Sequence, residues 1–306
     1  MIGVQRYGHT RAGKQRYRCL ECGYCFVQPG IGFRRQQQRV WFERWIKEGY
    51  SLRQLSDISG YPPRTLRRII AYYLAEPPVI TDDLSQSQYL VIDGSYLQGR
   101  QQAVIGIGDP TQNRIVTGIY GIKEGEARMY DFCSALTGHG LSPRSVTIDG
   151  LRHVHIMVNT LWPQAIVQRC LVHIQRQGLA WCRHQPKRPD TQQLRQFFTR
   201  VMAIYTPTQR DDFIADWQRW EELWGPIITA SKESGWTFGD LKRARSLLNK
   251  ALPYMFNYLN DSSIPKSTNW LEGYFSRLKS RYRQHRGLPP NKRAAYFAWY
   301  FNLCQT

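Results

Sequence analysis

Asp93 in Tyr-Leu-Val-Ile-Asp-Gly, Asp149 in Ser-Val-Thr-Ile-Asp-Gly and Glu272 in Thr-Asn-Trp-Leu-Glu-Gly-Tyr-Phe are three carboxylates in three local settings. Two aspartates closing apolar, β-rich runs and a glutamate on a late helix make up the donor set of two-metal phosphoryl transfer. Hard divalent cations such as Mg²⁺ or Mn²⁺ take oxygen ligands, and two of them about 3.5–4 Å apart hold both the attacking and the leaving oxygen of a phosphodiester. Gly94 and Gly150 follow the aspartates, so the backbone is expected to turn away there and leave each carboxylate at the edge of a sheet. Either aspartate alone reads as a turn-forming residue. Together they need a scaffold that brings them near one another and near Glu272.

That scaffold is legible in the periodicity. Alternating apolar runs predict strands over Tyr89–Asp93, Ala103–Gly108 and Arg114–Gly121, with Asp109-Pro110 opening a turn. A helix over Glu126–Leu136, a strand over Ser145–Asp149, a helix over Leu151–Leu161 and a strand over Ala165–Arg169 follow. Three meandering strands and then strand, helix, strand is the order of an RNase H-like α/β fold, in which the first and fourth strands are neighbours. From Leu171 to Asn260 the pattern is helical, with Trp217, Trp220 and Trp224 at spacings of three and four, as in the core of an all-helical insertion over about 178–262. The helix expected over Asn269–Gln284 carries Leu271, Tyr274 or Phe275, Leu278 and Tyr282 on one stripe. Glu272, Ser276, Lys279 and Arg283 fall on another. Cations near its C-terminal end suit the helix dipole, and Arg277, Arg281 and Arg286 widen the basic surface toward a phosphate-binding one. Cys170 and His173, directly after the last strand, are a compact pair. They are too few to make a zinc site, but placed for His173 to hydrogen-bond a carboxylate of the site or a phosphate.

The N-terminal third has another character. Its residues 1–80 hold 14 Lys and Arg against 5 Asp and Glu, and residues 266–306 hold 8 against 1, so the formal charge of +19 is gathered at the two ends of the chain. That distribution points to a polyanion. Val40, Trp41, Trp45 and Ile46 predict a helix stopped at Gly49. Ser51 with Gln54 forms a capping-box pattern, Gly60 is a break, and Pro62-Pro63 opens a helix bearing Arg64, Arg67 and Arg68 beside Leu66, Ile69 and Ile70. These are the dimensions of a DNA-binding helix-turn-helix domain over 34–76; a plain three-helix unit is the alternative. Upstream, in a segment spanning 1–33, Cys19 and Cys22 have the spacing of a zinc knuckle without a second pair, with His9 and Cys25 as possible completing ligands and reduced thiols as the alternative. Glu76-Pro77-Pro78 is a stiff boundary, after which the catalytic domain is expected over 85–306. Seven cysteines are an odd count, read as metal-binding, catalytic or buried rather than bridged. No run is apolar enough to span a bilayer and Met1–Arg18 lacks a signal-peptide core, which implies a cytoplasmic, nucleoid-associated protein with no membrane partner.

Taken in order, Ile92-Asp93-Gly94-Ser95-Tyr96-Leu97, Ile148-Asp149-Gly150, Gln168-Arg169-Cys170-Leu171-Val172-His173-Ile174-Gln175-Arg176 and Thr268-Asn269-Trp270-Leu271-Glu272-Gly273, running on to Lys279 and His285-Arg286-Gly287-Leu288, resemble bacterial insertion-sequence transposases of the Mutator-like DDE superfamily. The resemblance implies that Asp93, Asp149 and Glu272 are the DDE triad holding two Mg²⁺ or Mn²⁺ ions, and that Cys170 and His173 are the family's Cys-x-x-His element. It implies strand cleavage and strand transfer on double-stranded DNA, element ends and target alike, by a homodimer or larger assembly. Relatives of this kind often begin with a full zinc ribbon; this chain keeps only Cys19 and Cys22 of that pattern. The competing expectations are a non-catalytic DNA-binding regulator, which needs no triad, and an RNase H-fold nuclease that cuts without joining.

Overall fold

The computed structural model describes residues 3–27, 31–80, 82–97, 103–122, 127–285 and 287–305. Arg286 and Glu126, named above for the basic surface and for a helix start, lie outside them. The chain divides into two units, Met1–Glu76 and Pro77–Thr306.

In the first unit, strands β1 (Val4–His9), β2 (Gln15–Cys19) and β3 (Cys25–Val27) form an antiparallel sheet in that order. Three helices follow: α1 (Ile31–Glu48), α2 (Leu52–Ser59) and α3 (Pro63–Ala75). Ser51 and Gln54 close a reciprocal capping box at the start of α2, with Ser51 N donating to Gln54 Oε1 at 2.9 Å and Gln54 N to Ser51 Oγ at 3.3 Å. Gly60 ends α2 in the left-handed region at φ 72°, which a glycine adopts without steric cost. Phe42, Trp45, Ile46, Leu55, Leu66, Ile69, Ile70 and Leu74 form the core. The α1 pattern read from the sequence is off by one position: Val40 is exposed, Trp41 half-buried and Phe42 fully buried. Counting from Trp45 and Ile46, Phe42 rather than Val40 lies within one turn on the same face.

In the second unit a five-stranded sheet has the order β6-β5-β4-β7-β8, where β4 is Tyr89–Tyr96, β5 Ala103–Asp109, β6 Arg114–Tyr120, β7 Ser145–Ile148 and β8 Ile166–Arg169. The first three strands are antiparallel; β4, β7 and β8 are parallel. Helices α4 (Ala127–Gly138) and α5 (Arg152–Leu161) cover one face, where Met129, Cys133, Val154 and Val158 meet Leu90, Ile92, Ile105, Ile107, Val146 and Ile148. The alternate residues point to the other face, covered by α10 (Asn269–Arg283) and α11 (Pro290–Leu303). There Gly106, Gly108 and Gly118 leave room for the rings of Phe275, Trp270 and Phe301; an added Cβ would collide with Trp270 and Phe301 and crowd Phe275.

Between β8 and α10 lies a helical subdomain of α6 (Leu171–Cys182), α7 (Pro189–Arg200), α8 (Pro207–Ala230) and α9 (Trp236–Ala251). Its core holds Leu194, Phe198, Phe213, Leu241 and Leu248 with Trp217 and Trp220, whose indoles stack at 4.9 Å. Trp224 packs at the edge of this core and donates to Gln193 Oε1 at 2.9 Å. The core takes in Leu171 and Ile174 at the start of α6, so the helical body begins directly after β8 rather than at about 178.

Candidate active site

Asp93 does not end its strand. The strand β4 runs on to Tyr96, with Asp93 opposite Gly106, Gly94 opposite Ile105 and Ser95 opposite Val104. The apolar alternation stops at Asp93, but β5 still offers ladder partners and the pairing continues. What ends near Asp93 is the other neighbour: β4 and β7 pair from Tyr89↔Ser145 through Val91↔Thr147, and β7 stops at Ile148. Carried two residues further, the same register sets Asp93 beside Asp149, on strands whose spacing is about 4.8 Å. Asp93 alternates with Ile92, so its carboxylate faces α10.

Asp93 is 6% exposed. Its Oδ1 accepts from the Gly94 N–H at 2.8 Å and its Oδ2 from the Thr268 hydroxyl at 2.8 Å. Burial raises the carboxyl above its ordinary range and the charge of Asp149 adds to the rise, while Thr268, His173 and the Gly94 N–H oppose it. Thr268 sits at the N-cap position of α10 but does not cap it; its fully buried hydroxyl goes to Asp93. Its own N–H points to Cys170 Sγ at 3.3 Å, and Cys170 Sγ is 3.1 Å from His173 Nδ1. Of the two partners expected for His173, a carboxylate of the site or a phosphate, the carboxylate takes its hydrogen bond from Thr268, and His173 Nδ1 faces the sulfur. Burial alone would push the Cys170 thiol up; the His173 hydrogen bond and charge outweigh it and hold the thiol below its usual value. That same hydrogen bond lifts the His173 imidazole to about 9 against its burial, with Cys170, Asp93 and Asp149 adding their charge.

Asp149 is half-buried, and its Oδ1 accepts from the Leu151 N–H at 2.9 Å. Gly150, at φ 100°, turns the chain beneath it. The Arg169 guanidinium occupies the space where a Gly150 side chain would go, and its Nη2 donates to the Asp149 carbonyl at 3.1 Å.

Glu272 lies in the first turn of α10. With Asp93, Ser95, His173, Ser276 and Lys279 it lines a cavity of about 350 Å³. Both of its oxygens are taken by Arg176: Nη1 donates to Oε1 at 2.5 Å and Nη2 to Oε2 at 3.2 Å. The Arg176 hydrogen bonds hold Glu272 below the usual carboxylate range. Neither Arg176 nor Thr268 was singled out as a site residue from the sequence. The signal for Arg176 was its spacing, one helical turn beyond His173 as His173 is beyond Cys170.

Three carboxylates with few competing soft donors suit a hard divalent cation in kind. In arrangement the set is not closed: among the described residues no group of three or more His, Cys, Asp and Glu side chains stands together to hold an ion. Cys170 is fully buried against His173 and Thr268, which suits a structural partner rather than a ligand. Along α10, Leu271, Phe275, Leu278 and Tyr282 are buried, Glu272 and Lys279 half-buried, and Arg277, Arg281 and Arg283 exposed. In the first unit Arg64, Arg67 and Arg68 are exposed on α3, and the free thiols of Cys19 and Cys22 flank a tight turn after β2. No helix among the described residues is long and apolar enough to cross a membrane.

A protein of Corynebacterium diphtheriae named "Probable transposase for insertion sequence element" is 24% identical over 164 residues, covering 48% of this chain and 48% of its own length. The chain thus spans about half the length of that curated relative. A family model described as transposase, Mutator family, matches residues 86–298, from just before β4 into α11, and so embraces all three carboxylates and the helical body between them. The chain belongs to the Mutator family of transposases.

Proposed function

We propose that the chain is a DDE transposase that binds the ends of its element and carries out metal-dependent cleavage and strand transfer of DNA. The observation that supports this reading is the β4–β7 register, which extended two residues past Val91↔Thr147 sets Asp93 beside Asp149, together with the cavity that Asp93 and Glu272 line in common. Asp93, Asp149 and Glu272 would hold Mg²⁺ or Mn²⁺, which when bound neutralises charge at the reacting phosphate. The chain's own residues orient and exclude. The Thr268 hydroxyl and the Gly94 N–H fix the Asp93 carboxylate, Arg169 fixes the Asp149 turn through its carbonyl, and His173 adds positive charge beside both aspartates. Lys279, on the same face of α10 as Glu272, is positioned for a DNA phosphate, and Arg277, Arg281 and Arg283 extend that basic surface. The RNase H-like assignment rests on the strand order β6-β5-β4-β7-β8 with its antiparallel and parallel halves.

The helices α2 and α3 act as a helix-turn-helix that reads element-end DNA, with Arg64, Arg67 and Arg68 toward the duplex. Two ends are cut together, so a dimer or larger assembly forms on DNA. Cys19 and Cys22 remain a candidate zinc pair in the segment before α1. The deciding experiment is Asp149→Asn: Mg²⁺-dependent nicking of end DNA is lost while duplex binding is retained. Nicking that persists in this variant refutes the triad, and cleavage by the wild type without joining of a 3′-hydroxyl end favours a nuclease.

A further inference from the structure

The Arg176–Glu272 pair has the geometry of an interaction built to be exchanged. The guanidinium engages both carboxylate oxygens in a fork, yet the two side chains are 59% and 38% exposed. Exposed ion pairs contribute little to stability, so a fork at the mouth of the cavity is poorly explained as a brace. It also spends both oxygens of a residue that the proposed chemistry needs. A guanidinium binds a phosphate through the same two-pronged geometry it uses on a carboxylate. The backbone under Arg176 is fixed at the start of its helix: Cys170 N donates to the Ile148 carbonyl at 2.8 Å and Leu171 N to the Lys266 carbonyl at 3.0 Å. Only the long, exposed side chain has to move. Lys279 lines the same cavity two turns along α10 from Glu272 and has no carboxylate partner among the described residues, so an incoming phosphate meets a second cation there.

We propose that Arg176 is a latch on Glu272 that a DNA phosphate releases: without DNA it occupies the carboxylate in place of a divalent ion, and on DNA it transfers to the backbone phosphate and frees Glu272 to face Asp93. DNA binding and divalent-ion binding are then positively coupled, each favouring the state the other needs. The inference rests on Glu272 being a metal-binding carboxylate, and its test separates the two ideas.

The experiment is Mn²⁺ binding to the full chain, followed by the spin-resonance signal of free Mn²⁺, with and without a DNA duplex of arbitrary sequence at low salt. Without DNA, Arg176→Met is expected to bind Mn²⁺ about 5–10-fold more tightly than the wild type, and Lys279→Met, which removes a cation from the same cavity without touching Glu272, is expected to change affinity much less. Duplex should tighten Mn²⁺ binding by the wild type by a similar factor and leave Arg176→Met unaltered. Arg176→Lys keeps the charge without the fork and should fall between the two; it also serves as the reporter if the methionine variant does not fold. Equal Mn²⁺ affinities in Arg176→Met and wild type, or equal gains in Arg176→Met and Lys279→Met, overturn the latch. Adding Glu272→Gln to Arg176→Met distinguishes the failures. If that double variant binds Mn²⁺ as tightly as Arg176→Met alone, Glu272 is not a ligand and the triad itself fails; if it binds more weakly while the latch tests fail, only the latch is wrong.

Discussion

Asp93→Asn should make the metal-free protein more stable while removing its chemistry. The Asp93 carboxyl is raised by burial, so the folded protein resists its ionisation more than the unfolded chain does. A group whose pKa is raised on folding contributes stability that is complete below its unfolded pKa and is lost as pH rises through the folded value. At neutral pH that contribution is gone and the buried charge is a net cost. Asparagine removes the charge and keeps the shape: its oxygen accepts from the Gly94 N–H, and its amide donates to the Thr268 hydroxyl, which is free to turn toward Cys170 Sγ at 3.6 Å. Relieving a functional-site charge of this kind is worth about 1 kcal/mol, or roughly 2–4 °C in melting temperature for a unit of this size. The assay is calorimetric melting in EDTA at about pH 7.5 and again near the ordinary Asp pKa of about 4. The gain should appear at the higher pH and vanish at the lower. A variant that melts below the wild type at neutral pH, or one whose gain is the same at both, refutes the reasoning.

Gly150→Ala should cost about 2–4 kcal/mol in urea denaturation, combining left-handed backbone strain with a collision against the Arg169 guanidinium. Gly138→Ala, where an added Cβ meets open space, should show no such loss. Arg188→Met should destabilise by about 3 kcal/mol, because Asp190 is 1% exposed and Arg188 Nη2 donates to it at 2.7 Å. Recovery of most of that loss in Arg188→Met/Asp190→Asn, read by the same denaturation, would identify the stranded charge as its source. Arg67→Ala should leave melting unchanged within about 0.5 kcal/mol and lower the salt slope of duplex binding by about one; an unaltered slope places Arg67 away from phosphate.

The site was legible where its signal is periodic. The i, i+4, i+7, i+11 stripe that separates Glu272 and Lys279 from Leu271, Phe275, Leu278 and Tyr282 follows from helix geometry alone, and the structure buries the second set and not the first. The Ser51–Gln54 box was readable because both partners lie within one turn. Apart from the α1 face, where the shift of one position is local, the differences depend on a tertiary neighbour. The apolar run stops at Asp93 and predicts the end of the strand there, but β5 pairs with β4 as far as Tyr96 whatever the side chains do. Thr268 directly precedes α10 without capping it, because the approach of β4 draws its hydroxyl to Asp93. Cys170 and His173 are a compact pair already in the sequence, but that Nδ1 of His173 meets the Cys170 sulfur while Thr268 takes the Asp93 carboxylate depends on how β4 and α10 come together.

How a glutamate that follows the whole helical body reaches two strand ends is answered by hydrogen bonds on the returning segment. The Thr147 hydroxyl in β7 donates to the Pro265 carbonyl at 2.6 Å, Leu171 N at the start of α6 donates to the Lys266 carbonyl, and the Thr268 hydroxyl reaches Asp93 in β4. Just upstream, the buried Gln168 amide in β8 donates to the Met255 carbonyl at 2.8 Å and accepts from the Asn257 N–H at 3.1 Å. The chain therefore leaves the sheet at β8 and is sewn back to β8, β7, α6 and β4 in turn before α10 begins. Closing a loop costs free energy that grows only slowly with its length, so once these ends are fixed the size of the intervening helical body hardly matters to the site. The placement of Glu272 follows from the short stretch 265–268, not from the helices that separate it from Asp149. Substitutions in the core around Trp217 and Trp220 should thus change stability first, whereas Thr147→Val, far in sequence from Glu272, should loosen the segment that orients all of α10.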